Sequence, residues 1–173
     1  MAGQILVAYA TKHGSTAGVA EAVARELTAA GLDAEAAAFP AVDSLEGYNG
    51  VVLGAPLYMG VPLDLAPFVA RHRDMLSHMP VVAFAVGLTP AAPEPKPEQV
   101  EQARKALIDA LSPARPVAAT LFAGALDPAK MGFAERAVTR LLKAPAGDFR
   151  DWDAIGAWAR TVAPLLGGDA GTH

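Results

Sequence analysis

Gln4-Ile5-Leu6-Val7-Ala8-Tyr9-Ala10 runs without a break into Thr11-Lys12-His13-Gly14-Ser15-Thr16, and this change from apolar to hydroxyl-rich chain decides the fold. The first seven residues lack a polar face, as a strand buried on both sides of a parallel sheet does. The chain beyond is helical in period. Val19, Val23 and Leu27 recur at four-residue spacing, Glu21 and Arg25 are placed to pair on the solvent side, and Gly31 stands where a helix would end. A buried strand entering an amphipathic helix through a short polar turn is the first half of a βαβ unit.

The alternation continues outward from there. Apolar runs at residues 51–55, 81–87 and 116–123 read as further buried strands, and the more alternating 33–39 suits a sheet edge. A second helix is expected from Asp64 as N-cap, with Pro67 in its first turn and Leu65, Phe68, Val69 and Leu76 buried. Val100, Ala103, Leu107 and Leu111 keep one helical face after Pro97; Trp152, Ile155, Ala159, Val162 and Leu166 do so after Asp151. Trp152 reads as core and Trp158 as its margin. Strands alternating with helices predict an α/β fold, a doubly wound parallel sheet covered on both faces. Two stretches exceed this plan: the proline-rich residues 91–97, read as an extended loop, and residues 127–150, with a short helix expected over 133–142. One domain should span residues 1–166, with 167–173 a frayed tail.

The composition limits the function. At 173 residues, 53% hydrophobic and 18% charged, the chain can build one substantial core. No apolar run approaches the ~20 residues that span a bilayer, so an integral membrane protein is not expected. The absence of a leader pattern at the start, together with no cysteine, reads as cytoplasmic. A net charge of −4 with scattered Lys and Arg argues against nucleic acid. Without cysteine there is no thiol chemistry, no Gly-x-Ser-x-Gly frames a nucleophile, and the histidine spacing suggests no metal. His72 and His78, close to Arg71 and Arg73, read as a solvated basic face.

Ligands of doubly wound sheets sit beyond the carboxyl ends of the strands, which directs attention to the turns after Ala10, Ala55, Gly87 and Ala123. The turn of residues 11–16 offers the hydroxyls of Thr11, Ser15 and Thr16, a glycine that permits close approach, and the free N–H groups of a helix start. That is the chemistry of an anion cradle. The alternative is a polar turn in which Ser15 or Thr16 merely caps the helix. The segment is neither a Walker loop nor Gly-x-Gly-x-x-Gly.

Following directly on residues 5–10, the hexapeptide resembles the flavodoxin phosphate loop, hydroxyl-x-x-Gly-x-Thr. Pro56, Leu57, Tyr58, Met59 and Gly60 stand where flavodoxins stack an aromatic residue on the isoalloxazine ring, and Gly87, Leu88 and Thr89 where the second flavin-flanking loop belongs. Within that fold Phe122-Ala123-Gly124-Ala125-Leu126, Gly147-Asp148 and Asp151-Trp152 are similar to the menaquinone-dependent protoporphyrinogen dehydrogenases and their flavodoxin-domain relatives. The resemblance implies a five-stranded sheet of order 2-1-3-4-5, FMN as cofactor, and electrons passing from a small organic donor to a quinone, with peripheral membrane contact. It equally admits a flavodoxin-type one-electron carrier that docks with redox proteins, and a domain that keeps the fold without the flavin. Under the resemblance Thr11, Lys12, His13, Gly14, Ser15 and Thr16 form the cofactor-binding loop, Lys12 adding charge to the phosphate; His13 is read either as near the phosphate or as a turn residue facing solvent. Tyr58 covers the ring, and the Met59–Gly60 peptide turns toward it on reduction. Met131, Phe133, Leu57 and Met59 are candidates for an apolar shelf beside it. No catalytic side chain is assigned.

Overall fold

Side-chain alternation along the first strand, β1 (Gln4–Tyr9), sorts the interior into two cores. Ile5 and Val7 join Val19, Val23, Leu27, Ile155, Ala159 and Val162 on one face. Leu6 and Ala8 join Leu53, Leu65, Val69, Leu107 and Leu111 on the other. A strand with apolar residues at every position has a use for both faces, which is why the unbroken run of residues 5–8 forms a central strand.

The computed structural model describes residues 4–12, 14–58, 60–87, 96–126, 132–134, 137 and 147–167. After β1 come α1 (Ser15–Ala29), β2 (Asp33–Ala38), β3 (Gly50–Tyr58), β4 (Val61–Pro62), α2 (Leu65–Arg71), α3 (Arg73–Leu76) and β5 (Val81–Gly87). α4 (Pro97–Leu111), β6 (Ala118–Ala123), β7 (Ala125–Leu126), β8 (Gly147–Asp148) and α5 (Trp152–Leu166) complete the described chain. The five long strands pair in parallel in the order β2-β1-β3-β5-β6, with the two-residue β4 added antiparallel to the end of β3. With β4 set aside this is the expected order 2-1-3-4-5. Helices α1 and α5 cover one face, α2 and α4 the other.

Four local expectations need correction. The helix expected from Asp64 through Leu76 breaks at His72, and Asp64, at a left-handed φ of 60°, precedes α2 without any side-chain cap bond. Pro97 is not the end of a loop but the first residue of α4, where its missing N–H costs nothing. The strand β3 continues to Tyr58, because Tyr58 pairs with Val61 across a tight hairpin turned by Gly60 at φ 79°. The two tryptophans exchange roles. Trp158 packs edge-on to Phe84 and Phe122, with centroids 6.1 and 5.6 Å away, whereas Trp152 is 46% exposed. Position 158 lies on the same helical face as Ile155 and Val162, and position 152 lies at the first turn.

Of the stretch 127–150, Phe133 is exposed, and residues 147–150 are an ordered return in which β8 pairs antiparallel with β7. Of the short helix expected over 133–142, residues 133, 134 and 137 are helical, and its other residues, like residues 88–95 and the end of the tail, lie outside the described residues.

Candidate functional site

The first strand delivers the hydroxyl loop to the carboxyl edge of the sheet, where Ala10 N–H donates to Gly54 O at 3.0 Å and ties the end of β1 to β3. The chain then turns at Gly14, whose φ of 90° favours glycine and whose amide donates to Thr11 Oγ1 at 3.0 Å. Gly14 occupies the N-cap of α1 with no side-chain cap bond, so neither Ser15 nor Thr16 caps the helix. The simple capping alternative therefore loses its support. Thr16 is fully buried, and its Oγ1 has no hydrogen-bond partner among the described residues. The first turn of α1 carries no acidic residue that would repel an anion. A buried hydroxyl without a partner, beside amides that no helix carbonyl can reach, fits a bound phosphate.

The second loop is in contact with the first. Lys12 Nζ lies 3.7 Å from the centroid of the Tyr58 ring, over its face, and Tyr58 is 40% exposed. A cation over an aromatic face is a favourable contact, and here it spans the two segments that a phosphorylated flavin would have to touch together. The hairpin presenting Tyr58 is anchored behind by Leu63 N–H donating to Pro56 O at 2.9 Å. The third loop begins equally close: a Cβ at Gly87 would come within 3.1 Å of the Leu57 side chain, so glycine there lets β5 and the Tyr58 hairpin approach. Thr11, Lys12, Gly14, Ser15, Thr16, Pro56, Leu57, Tyr58, Gly60 and Gly87 thus cluster along one sheet edge, while His13, Met59, Leu88 and Thr89 lie outside the described residues. A groove of about 440 Å³ opens beside Thr11, walled by Phe39, Pro67, Phe68 and Arg71.

Two polar residues escaped the reading of the sequence. His72 is not on a solvated face: it is 7% exposed, packs 4.5 Å from the Phe68 ring, and leaves Nε2 without a partner among the described residues. Burial, with a smaller contribution from the Arg71 charge, pushes its pKa down. The sign of this was in the spacing, since positions 65, 68, 69, 72 and 76 share one helical stripe. Arg150 was missed as well. Its guanidinium forks onto Asp148, with Nη2 to Oδ2 at 2.7 Å, and reaches the first turn of α1, where Nη1 lies 3.5 Å from Ser15 O. The hydrogen bonds from Arg150 hold the Asp148 carboxyl at a pKa of about 2.

Among solved structures the fold is similar to a Streptococcus pneumoniae flavodoxin (TM-score 0.54, 14% identity, covering 96% of this chain and 99% of that one). It is also similar to two-electron reduced Megasphaera elsdenii flavodoxin (TM-score 0.51, 16% identity, 91% and 98% covered). In sequence the chain is 28% identical over 173 residues to the protoporphyrinogen IX dehydrogenase [quinone] of Escherichia coli (strain K12), covering 92% of this chain and 94% of that protein. Residues 6–153, from the first buried strand through the entry to α5, match the flavodoxin domain, and with that span the chain belongs to the flavodoxin domain family and is an FMN flavoprotein oxidoreductase of electron transfer.

Proposed function

We propose that this protein oxidises a reduced organic donor of the tetrapyrrole type and passes the electrons to a quinone, with FMN held between the hydroxyl loop and Tyr58. The observation that supports this reading is Lys12 over Tyr58, a contact between the hydroxyl loop and the Tyr58 hairpin. The choice of substrate rests on the dehydrogenase similarity, which runs almost end to end in both chains.

In this reading the amides at the start of α1 and the hydroxyls of Thr11, Ser15 and Thr16 donate to the 5′-phosphate, and Thr16 gains there the partner its buried Oγ1 lacks among the described residues. Lys12 supplies positive charge at the same end. Tyr58 covers the ring and, with Leu57, excludes water from it; Gly60 gives the hairpin the backbone freedom to adjust its peptide toward the ring. When bound, FMN supplies the redox chemistry: two electrons and two protons leave the donor and are delivered to the quinone, which becomes a quinol.

A carrier function is the second reading, favoured by one observation: Val61, 62% exposed, adjoins the exposed Tyr58 in the hairpin and offers an apolar rim for a protein partner. Turnover of protoporphyrinogen with a menaquinone analogue separates the two. Sustained quinone reduction is the expected result. No turnover, with rapid reoxidation of the reduced flavoprotein by a redox protein, would assign the carrier instead.

A further inference from the structure

Arg150 lies far along the chain from the hydroxyl loop, yet its guanidinium is built into the start of α1. Nε donates to Asp148 Oδ1 at 2.9 Å and Nη2 to Oδ2 at 2.7 Å, while Oδ1 also accepts the Arg150 amide at 3.1 Å. The planar head lies 4.8 Å from the centre of the Trp152 ring, on a side chain only 19% exposed. Two nitrogens are thereby fixed and the third is aimed. Nη1 stands 3.5 Å from the carbonyl oxygen of Ser15, at the outer limit of hydrogen bonding and well within electrostatic reach.

Gly18 provides the room for this. A Cβ there would stand 2.8 Å from Nη1 and 3.6 Å from the Trp152 ring. Glycine inside the first turns of a helix is otherwise unfavourable, so this position exchanges helix propensity for access by the cation.

The carbonyl that Arg150 approaches belongs to the Ser15–Thr16 peptide, whose N–H is that of Thr16. That amide is at the open end of α1, where no helix carbonyl can accept it. A cation at the oxygen of a peptide polarises it and strengthens its N–H as a donor, and a partly buried charge is less screened than a surface one. We propose that Arg150 is a specificity-determining positioning residue: acting through the Ser15–Thr16 peptide, it strengthens the grip of the first turn on phosphate and makes the chain select FMN over the unphosphorylated riboflavin. This rests on the reading of residues 11–16 as the phosphate loop. Arg150 acts at the first turn of α1, so its effect should fall on the phosphate end of the nucleotide.

Equilibrium titration of the apoprotein with FMN and with riboflavin, followed by quenching of flavin fluorescence, tests it on wild type, Arg150→Gln and Gly18→Ala. The ratio of FMN to riboflavin affinity should fall roughly threefold to tenfold in Arg150→Gln. Gly18→Ala should lower the ratio in the same direction by displacing the guanidinium, while its thermal midpoint stays at or above that of wild type, because alanine is the better helix former. A purely structural role would weaken both ligands equally, and an unchanged ratio in Arg150→Gln overturns the inference. If that variant does not fold, the ratio in Gly18→Ala decides by the same criterion. Wild-type protein that binds neither flavin overturns the phosphate-loop reading itself, and this inference with it.

Discussion

A buried hydroxyl with no partner is costly, about 1–3 kcal/mol relative to a satisfied one, and Thr16 carries one with no partner among the described residues, at the point where a helix presents its free amides. Thr16→Val keeps the shape and removes that oxygen. The apoprotein should melt at the same temperature or higher, while FMN binds about tenfold or more weakly, in calorimetric melting and fluorescence titration respectively. Tyr58→Leu should behave differently, weakening FMN and riboflavin alike, because the ring contact does not involve the phosphate. The candidate residues of the first loop stood out in the sequence because a glycine and three hydroxyls fall between a buried strand and a helix, where an anion cradle would form. Arg150 was not legible, since its approach to α1 comes with the β7–β8 pairing, and no local period announces a two-residue ladder.

Elements show where local pattern yields to tertiary context. His72 breaks what would be one helix, and its imidazole turns into the Phe39–Phe68 stack, whose rings lie 4.2 Å apart. Flanking arginines suggested a solvated face, but helical spacing governs which way a side chain points, and His72 turns inward while Arg71 and Arg73 stay exposed. Because folding lowers the pKa of His72, the unfolded chain binds the extra proton more readily. Its contribution to stability is intact above the unfolded histidine value of about 6.5 and is lost progressively as pH falls below it. Melting temperature measured between pH 7.5 and pH 5 should therefore drop in wild type and drop less in His72→Leu; equal slopes would refute this. The Tyr58 hairpin gives a second test at this scale. Gly60 sits at φ 79° with open space around a would-be Cβ, so Gly60→Ala should cost about 1 kcal/mol through backbone strain alone. In the flavin-loaded protein it should also change the separation of the two one-electron potentials, read in a redox titration.

At the scale of the whole molecule, the sheet order follows from a small set of physical constraints: three central strands, β1, β3 and β5, buried on both faces, two partly buried edge strands, β2 and β6, and right-handed crossovers. These were readable because apolar runs such as residues 81–87 leave no polar side to face water. The same sheet leaves Gly54 beneath the Phe84 ring, where a Cβ would approach to 2.2 Å, so the middle of β3 admits no side chain and the two long strands are locked in register. That register sets the Tyr58 hairpin against the hydroxyl loop, and the proposed function depends on the two meeting. The most direct measurement is an amide NMR titration of the apoprotein with FMN. The account predicts that Gly14, Ser15, Thr16, Tyr58 and Gly60 shift together and saturate at one equivalent; FMN that leaves these amides unmoved, or moves only one of the two segments, would contradict it.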